Sequence, residues 1–276
     1  MGLVHLLPLP LLTPYPSTPL LLYPLMKPII YCITNSVSAS FVANALLAIG
    51  ASPLMSSAIE EVEDLCQIAD ALVINIGTPS KEQFATMLAA GQRMHELGKP
   101  IVLDPVGVNA THFRLEMAQT LIAKVHPTVI KGNASEILAL ATNKILGTGL
   151  DANIPYPSTP LPLYSQADDL AKSLGAIIVI SGPTDYITDG THTASVTLGS
   201  PQMALTTGTG CVASAIIAAH LTNHKSQITN PLPQPKGRYS STPLPPFQAT
   251  IKAMTLMGQA GTDMSHFLER LCTFAL

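Results

Sequence analysis

Two glycines, a threonine and a cysteine, Gly208-Thr209-Gly210-Cys211, stand directly before a segment of small and apolar residues, Val212 to Ala219. Glycine lets a ligand approach the main chain closely, and the segment after it predicts a buried helix whose first turn has unpaired N–H groups. The helix dipole adds partial positive charge at the same end. The pattern favours a binding site for an anion such as phosphate, while a tight turn with Thr209 as helix cap is the alternative interpretation.

Polar residues and glycines follow the predicted strands where each strand ends, at 34–35, 77–78, 104–107, 131–136 and 181–182. Asp104 and Glu136 supply carboxylates there, and Mg²⁺ takes such oxygen ligands directly or through water when it bridges phosphates. Lys131 supplies a positive charge that suits phosphate. Each residue also has an ordinary explanation: Asp104 as a turn residue before proline, Glu136 in the first turn of a helix, and Lys131 as a solvated side chain.

Short apolar segments alternate with helical patterns from residue 27 onward. Predicted strands are 29–33, 53–55, 71–76, 101–103, 128–130 and 177–180, and 196–205 predicts a hairpin or a sheet edge. Predicted helices are 36–49, 59–69, 81–97, 115–123, 135–141, 166–173, the helix after residue 210, 250–261 and 267–275. Strands without a polar face are typical of a parallel sheet between two helix layers, in which ligands bind beyond the carboxyl ends of the strands.

Composition and motif content exclude several kinds of partner and site. The chain has 276 residues, 11% of them charged, and a formal net charge of −3, so neither a nucleic acid nor a membrane is expected as a partner. Its four cysteines form no CxxC pair, which argues against a zinc site and a disulfide framework and indicates a cytoplasmic setting. Neither a dinucleotide-binding glycine motif after the first strand nor a P-loop motif is present.

Proline-rich segments interrupt this alternation. Residues 1–26 are apolar but proline-rich and lack a preceding positive charge, so we expect an N-terminal extension rather than a signal peptide or a membrane helix. The segment Pro14 to Tyr23 recurs at 155–164 with one change, and a degenerate copy spans 239–247. We expect a single domain over 27–276 with proline-rich inserts near 153–165 and 226–247, either surface loops or extended ligands for a partner.

Seven motifs stand in the order found in hydroxyethylthiazole kinases, and the chain resembles that family from about Lys27 to Ala219 and more loosely to its end. They are Ile33 to Val37, Gly50 to Met55, Asn75 to Thr78, Leu103 to Val108, Lys131 to Ile137, Ser181 to Gly190 and Gly208 to Cys211. The resemblance implies a ribokinase-like fold, a three-layer αβα sandwich with a mostly parallel central sheet. It also implies a homotrimer with active sites between subunits, and ATP- and Mg²⁺-dependent phosphorylation of the hydroxyl of 4-methyl-5-(2-hydroxyethyl)thiazole in thiamine salvage.

The resemblance assigns roles to residues of this chain. Cys211 is placed in the catalytic site, where its thiol, with a pKa expected to be lowered by the helix N-terminus, accepts a proton. The other assignments are thiazole contacts at Asn35, Val37, Met55 and Gly208, ATP contacts at Lys131, Ser181, Thr209 and Gly210, and metal contacts at Asp104 and Glu136.

Several positions depart from the family pattern. Lys131 stands where arginine is usual, Asn109 where glycine is usual, and a glycine-rich motif near the C-terminus is reduced to 262–267. Two other functions therefore stay open. One is a non-catalytic homologue that binds a thiazole or a nucleotide; the other is a related kinase for hydroxymethylpyrimidine, against which Cys211 in place of aspartate and the Met55 segment argue.

Overall fold

Eight strands form one sheet in the part of the chain that the structure, a computed structural model, describes: residues 27–145, 161–222 and 244–275. In chain order they are β1 (Ile29–Ile33), β2 (Ser52–Met55), β3 (Ala71–Asn75), β4 (Ile101–Asp104), β5 (Val129–Asn133), β6 (Ile177–Ser181), β7 (Asp185–Thr188) and β8 (Thr193–Val196). Their order across the sheet is β2-β1-β3-β4-β5-β6-β7-β8. Strands β1 to β6 pair in parallel, and β7 and β8 continue the sheet as an antiparallel hairpin.

Helices connect the parallel strands and cover both faces of the sheet. They are α1 (Ala39–Ala48), α2 (Val62–Ile68), α3 (Lys81–Glu96), α4 (His112–Val125), α5 (Ala134–Thr142), α6 (Leu161–Leu174), α7 (Thr209–Leu221), α8 (Pro246–Ala260) and α9 (Phe267–Ala275). Short 3₁₀ turns at Ile59–Glu61, Pro201–Leu205 and Met264–His266 precede α2, α7 and α9. None of the helices in the described ranges is long and apolar enough to cross a membrane.

Two separate cores lie on the two faces of the sheet because successive strand residues point to opposite sides. Residues such as Ile30, Cys32 and Val73 pack against α1, α7, α8 and α9. Their sequence neighbours Tyr31 and Leu72 pack against α2 to α6 on the other face. This arrangement confirms the predicted three-layer αβα sandwich with a mostly parallel sheet.

The helix predicted over 36–49 begins three residues later, at Ala39. The cause is Asn35, whose side-chain oxygen accepts hydrogen bonds from the N–H groups of Val37 and Ser38 and folds these residues into a turn. The hairpin expected over 196–205 lies earlier, in β7 and β8, and Pro201–Leu205 is a 3₁₀ turn.

The proline-rich copies end inside regular structure, which corrects part of the prediction of inserted loops. The last four residues of the second copy, 161–164, belong to α6, and Tyr164 stacks on Tyr186 of β7 with ring centroids 4.1 Å apart. The third copy ends in the first turn of α8, which starts at Pro246. Proline fits there because the first helical residues need no N–H partner within the helix. The whole of the first copy lies outside the described residues, and so do residues 155–160 of the second copy and 239–243 of the third.

Candidate active site

The carboxyl ends of β3 and β4 bring two polar side chains side by side. Asn75 and Asp104 are register partners in the parallel ladder, and each is only 1% exposed. The Asp104 Oδ2 atom accepts hydrogen bonds from Asn75 Nδ2 at 2.9 Å and from the Ser214 hydroxyl of α7 at 2.8 Å. Burial raises the pKa of Asp104, although nearby Lys131 and these two hydrogen bonds offset part of that effect.

Lys131 of β5 points into the same site and is 3% exposed, so the alternative of a solvated lysine is wrong. Its Nζ donates a 3.0 Å hydrogen bond to the main-chain oxygen of Gly210 in the first turn of α7. Burial alone would lower the pKa of Lys131, but Asp104, Glu136 and the other acidic groups around it raise the pKa above its usual value. The ammonium therefore stays charged and links the sheet to α7.

Glu136 begins α5 as part of a capping box with Asn133. Its Oε2 atom accepts the Asn133 N–H at 2.7 Å, and its Oε1 atom accepts the N–H of Gly107, in the loop after β4, at 2.9 Å. Burial and the charge of Asp104 raise its pKa. Glu136 thus lies in the first turn of a helix, which confirms the ordinary explanation given for it from the sequence. It also fixes the loop that follows Asp104.

Helix α7 begins at the site with an open N-terminus. Gly208 is its N-cap, with φ +94°, and among the described residues no side chain caps the helix there. A Cβ atom on Gly208 would lie 2.9 Å from Cβ of Ser38, so α1 and this turn pack too closely for a side chain. Thr209 is the first helical residue rather than the cap, and its hydroxyl bonds the carbonyl oxygens of Met203 and Thr206. These features support an anion at this helix end.

The Cys211 sulfur lies between two asparagine side chains. Nδ2 of Asn35 donates to Sγ at 3.3 Å, and Nδ2 of Asn75 donates to it at 3.2 Å. Burial and the charge of Asp104 raise the pKa of the thiol, although hydrogen bonds from Ser38 and Asn35 and the charge of Lys131 offset part of this. The expectation of a lowered pKa is therefore wrong, because burial and the charge of Asp104 together outweigh the groups that lower it.

The remaining predicted residues lie around this centre. Met55 ends β2 and is 37% exposed, and Val37, in the turn before α1, is 69% exposed. Ser181 ends β6, where its hydroxyl bonds the carbonyl oxygen of Gly132 at 3.3 Å. The structure thus joins Asn35, Asp104, Lys131, Gly210 and Cys211 in one network. Val37 touches this network through its main-chain N–H, which donates to Asn35, whereas Met55 and Ser181 lie beside it.

Three further residues hold the network together, and the sequence pattern alone assigns no role to them. Asn75 and Ser214 bond Asp104, as described above. Arg114 of α4 donates to the carbonyl oxygens of Ile76 and Val106 through Nη1 and to that of Gly77 through Nη2. The position of Asn75 at a strand end could have indicated a site residue. Nothing in the sequence indicates the role of Arg114, because its partners are main-chain oxygens of other elements.

The sheet order and the two helix layers define a ribokinase-like fold. A ribokinase-like superfamily protein from Enterococcus faecalis V583 has a similar fold, with a TM-score of 0.61 and 16% identity over 90% of this chain and 86% of that one. A sequence model of the hydroxyethylthiazole kinase family matches residues 24–271. The chain belongs to the hydroxyethylthiazole kinase family.

Individual relatives are similar over most of their length. A hydroxyethylthiazole kinase of Haemophilus influenzae (strain PittEE) is 44% identical over 195 residues, which are 71% of this chain and 73% of the relative. One from Halalkalibacterium halodurans is 43% identical over 193 residues, 70% and 72% of the two chains. The solved structure of a hydroxyethylthiazole kinase protein from Pyrococcus horikoshii OT3 is 31% identical, covers 90% of this chain and 87% of its own, and has a TM-score of 0.72.

Proposed function

We propose that this chain transfers the γ-phosphoryl group of ATP to the hydroxyl of 4-methyl-5-(2-hydroxyethyl)thiazole, a step of thiamine salvage. The observation that carries the proposal is the open N-terminus of α7, which starts beside Asp104, Lys131 and Cys211. Unpaired N–H groups and a positive helix dipole favour the phosphates, while the acidic groups suit a divalent cation. Family membership supports the same reaction.

Mg²⁺ fits this site through water rather than through a complete protein cage. In the described ranges no three acidic, cysteine or histidine side chains gather into a metal cluster. Asp104 and Glu136 offer carboxylate oxygens that already accept hydrogen bonds and retain free lone pairs. We therefore propose that these two residues hold Mg²⁺ mainly through its waters, as is common for this ion. When bound, the cation would neutralise charge on the ATP phosphates.

The chain's own residues position the reactants. We propose that Thr209 and Gly210 contact the ATP phosphates and that the N–H of Gly210 is the donor to the transferring group, since the N–H of Thr209 already donates to the carbonyl oxygen of Thr206 at 3.5 Å. Ser181 lies toward the nucleotide, and Lys131 holds the first turn of α7 in place. Asn35, Val37, Met55 and Gly208 contact the thiazole. Phosphoryl transfer depends mainly on positioning and electrostatic stabilisation, so a weak proton acceptor suffices for the attacking hydroxyl.

Cys211 is the proposed acceptor of that proton. Because the pKa of its thiol is raised, most of the enzyme carries the neutral thiol at pH 7, and only the thiolate fraction accepts a proton. The rate constant kcat is accordingly expected to rise with pH through the alkaline range. A variant with serine at this position would lack an acceptor that ionises in that range.

A homotrimer in the cytoplasm is the proposed state of the protein. Apolar side chains are exposed at and beside the edge strand β2, among them Met55, Ile59 and Val37, which supports an interface between copies next to the thiazole site. All four cysteines are free thiols, which supports a reducing compartment. Light scattering after size-exclusion chromatography measures the assembly; a monomer with full activity would contradict an interface-built site.

ADP release with the thiazole alcohol, ATP and Mg²⁺ tests the function. We expect turnover that requires Mg²⁺ and is absent with hydroxymethylpyrimidine.

Cys211→Ala should lower kcat by about 10²-fold while thiazole binding, measured by calorimetry, changes little. Cys272→Ala is the matched control, because that thiol is exposed on α9. Thiazole binding without any turnover would support a non-catalytic homologue, and turnover with the pyrimidine alcohol alone would support the other kinase.

A further inference from the structure

The Asn75 side chain uses its full hydrogen-bonding capacity. Its Oδ1 atom accepts from the main-chain N–H of Gly77 at 2.9 Å and from Asn35 Nδ2 at 2.9 Å, while its Nδ2 atom donates to Asp104 and to Cys211. A main-chain N–H only donates, so the bond from Gly77 identifies which end of the amide is the oxygen. The NH₂ group of Asn75 must therefore face the carboxylate and the sulfur.

The orientation of Asn35 is fixed in the same way. Its Oδ1 atom accepts from the N–H groups of Val37 and Ser38 at 3.1 and 2.9 Å, and from the Ser38 hydroxyl at 3.0 Å. Its NH₂ group consequently faces Asn75 and the Cys211 sulfur. Two N–H donors converge on one sulfur atom, and neither amide can turn over without losing bonds to main-chain donors.

We propose that Asn75 is a positioning residue that holds the Cys211 sulfur and the Asp104 carboxylate at a fixed separation and, together with Asn35, stabilises negative charge on that sulfur. The inference rests on the proposed function in one respect, that Cys211 accepts the substrate proton. It adds the amide donors that allow a buried thiol to ionise and accept that proton.

The physical basis is the difference between a thiol and a thiolate as acceptors. A neutral thiol accepts N–H bonds weakly, whereas hydrogen bonds to an ionised acceptor are about twice as strong as neutral ones. The groups that face the sulfur oppose one another: Asp104 disfavours the thiolate, and Lys131 and Ser38 favour it. The NH₂ group of Asn75 donates one N–H to the carboxylate and the other to the sulfur, so a thiolate formed there meets two donors that are already in place, one from Asn75 and one from Asn35.

Alkylation of Cys211 by iodoacetamide at pH 8 tests the donor pair without depending on turnover, because the reagent reacts with the thiolate. The measurement uses the Cys272→Ser background, in which the other two thiols, Cys32 and Cys66, are buried. Asn75→Ala is expected to slow alkylation about tenfold, the effect of losing one hydrogen bond to a charged group. It should lower kcat by at least that factor while the KM for the thiazole changes less than threefold.

Asn109→Ala is the matched control, since Asn109 is also buried near the site but donates to Ser135 instead of to the sulfur. Its alkylation rate should equal that of the parent. If Asn75→Ala does not fold, the same alkylation rate is measured on Asn75→Ser. Its hydroxyl keeps a polar group beside Gly77 but is too short to reach the sulfur. An unchanged alkylation rate in a folded Asn75 variant overturns the inference, even if the enzyme phosphorylates the thiazole.

A measurement on the parent chain needs no substitution of Asn75. In ¹⁵N–¹H spectra with assigned asparagine side chains, alkylation of Cys211 should shift the NH₂ signals of Asn35 and Asn75 and leave that of Asn109 in place. An Asn75 signal that does not move would overturn the proposed contact. Absence of thiazole turnover in the parent would instead overturn the proposed function and leave the donor pair standing.

Discussion

The ammonium of Lys131 lies 3.0 Å from the main-chain oxygen of Gly210, and Gly210 has no side chain in the way: a Cβ atom there would be 3.1 Å from Nζ. The close approach places one positive charge between the sheet and the first turn of α7. Asp104, Glu136 and Asp185 all act on this charge. Lys131 therefore has a structural task in addition to the proposed contact with ATP.

Replacing Lys131 with methionine is expected to lower the free energy of unfolding by about 3 to 5 kcal/mol at pH 8, because buried carboxylates lose their cation. The loss should shrink as pH falls and the carboxylates take up protons. Urea unfolding at several pH values measures it, with the exposed residue Lys124 replaced by methionine as the control. Full stability with only a higher KM for ATP would contradict this role.

Gly208→Ala is expected to lower stability and raise the KM for the thiazole. At φ +94° an alanine is strained by about 1 to 2 kcal/mol, and its Cβ atom would collide with Ser38. Gly50→Ala separates the two effects, because Gly50 also has positive φ, +81°, but no described atom lies within 4 Å of the added Cβ. Equal KM values for the two variants would show that the contact between Gly208 and Ser38 has no bearing on the thiazole site.

Asp185→Asn is expected to stabilise the protein at neutral pH and to leave it unchanged near pH 3. Burial raises the pKa of Asp185 from 3.8 to about 6, so the fold prefers its protonated form. The resulting stability is complete below about pH 4 and is lost as pH rises through about 6. With one pKa unit equal to about 1.4 kcal/mol, the gain at pH 7.5 is on the order of 2 to 3 kcal/mol.

An asparagine at position 185 still accepts the N–H of Gly182, so the change removes the charge and keeps that bond. Asp189→Asn is the matched control, because it is expected to lower stability at neutral pH instead of raising it. Hydrogen bonds from Thr191 and His192 help to lower the pKa of Asp189, which therefore contributes stability at neutral pH that is lost on acidification. Denaturant titrations from pH 3 to 8 distinguish the two; parallel pH profiles for both variants would refute the assigned direction for Asp185.

Arg114→Lys is expected to lower the free energy of unfolding by about 1 to 3 kcal/mol and to loosen the loops after β3 and β4, because a single ammonium cannot replace the two guanidinium nitrogens that reach these three carbonyl oxygens. Hydrogen exchange should accelerate at the amide of Gly77, which orients Asn75. Arg93→Lys is the control, since its ion pairs with Glu63 and Glu96 are on the surface and such pairs contribute less than about 1 kcal/mol. Unchanged exchange at Gly77 would argue against a positioning role for Arg114.

The sheet and the neighbourhood of the site were predictable because strand ends in a parallel sheet meet at one edge. Asp104 and Lys131 follow apolar strands, and this pattern alone places them together. The hydrogen-bond partners were not predictable in the same way. The amide of Asn75 and the burial of Lys131 depend on how α7 packs on the sheet, and the direction of the Cys211 pKa depends on a balance between burial and several nearby charges.

The remaining differences between the predicted and the observed helices have local causes that cannot be read from composition. The turn that delays α1 depends on one side-chain oxygen, that of Asn35. Proline density favoured loops at 155–164 and 239–247, whereas Pro162 and Pro246 occupy first-turn positions of α6 and α8, where proline is compatible with a helix.

Asn75 and Asp104 face each other because β3 and β4 are in register, so the spacing between these two groups is set by the main-chain ladder. No local opening of a loop can separate them without breaking hydrogen bonds of the central sheet. The spacing of this pair should thus share the cooperativity of the whole fold: on heating, Asn75 and Asp104 would stay side by side until the sheet itself melts.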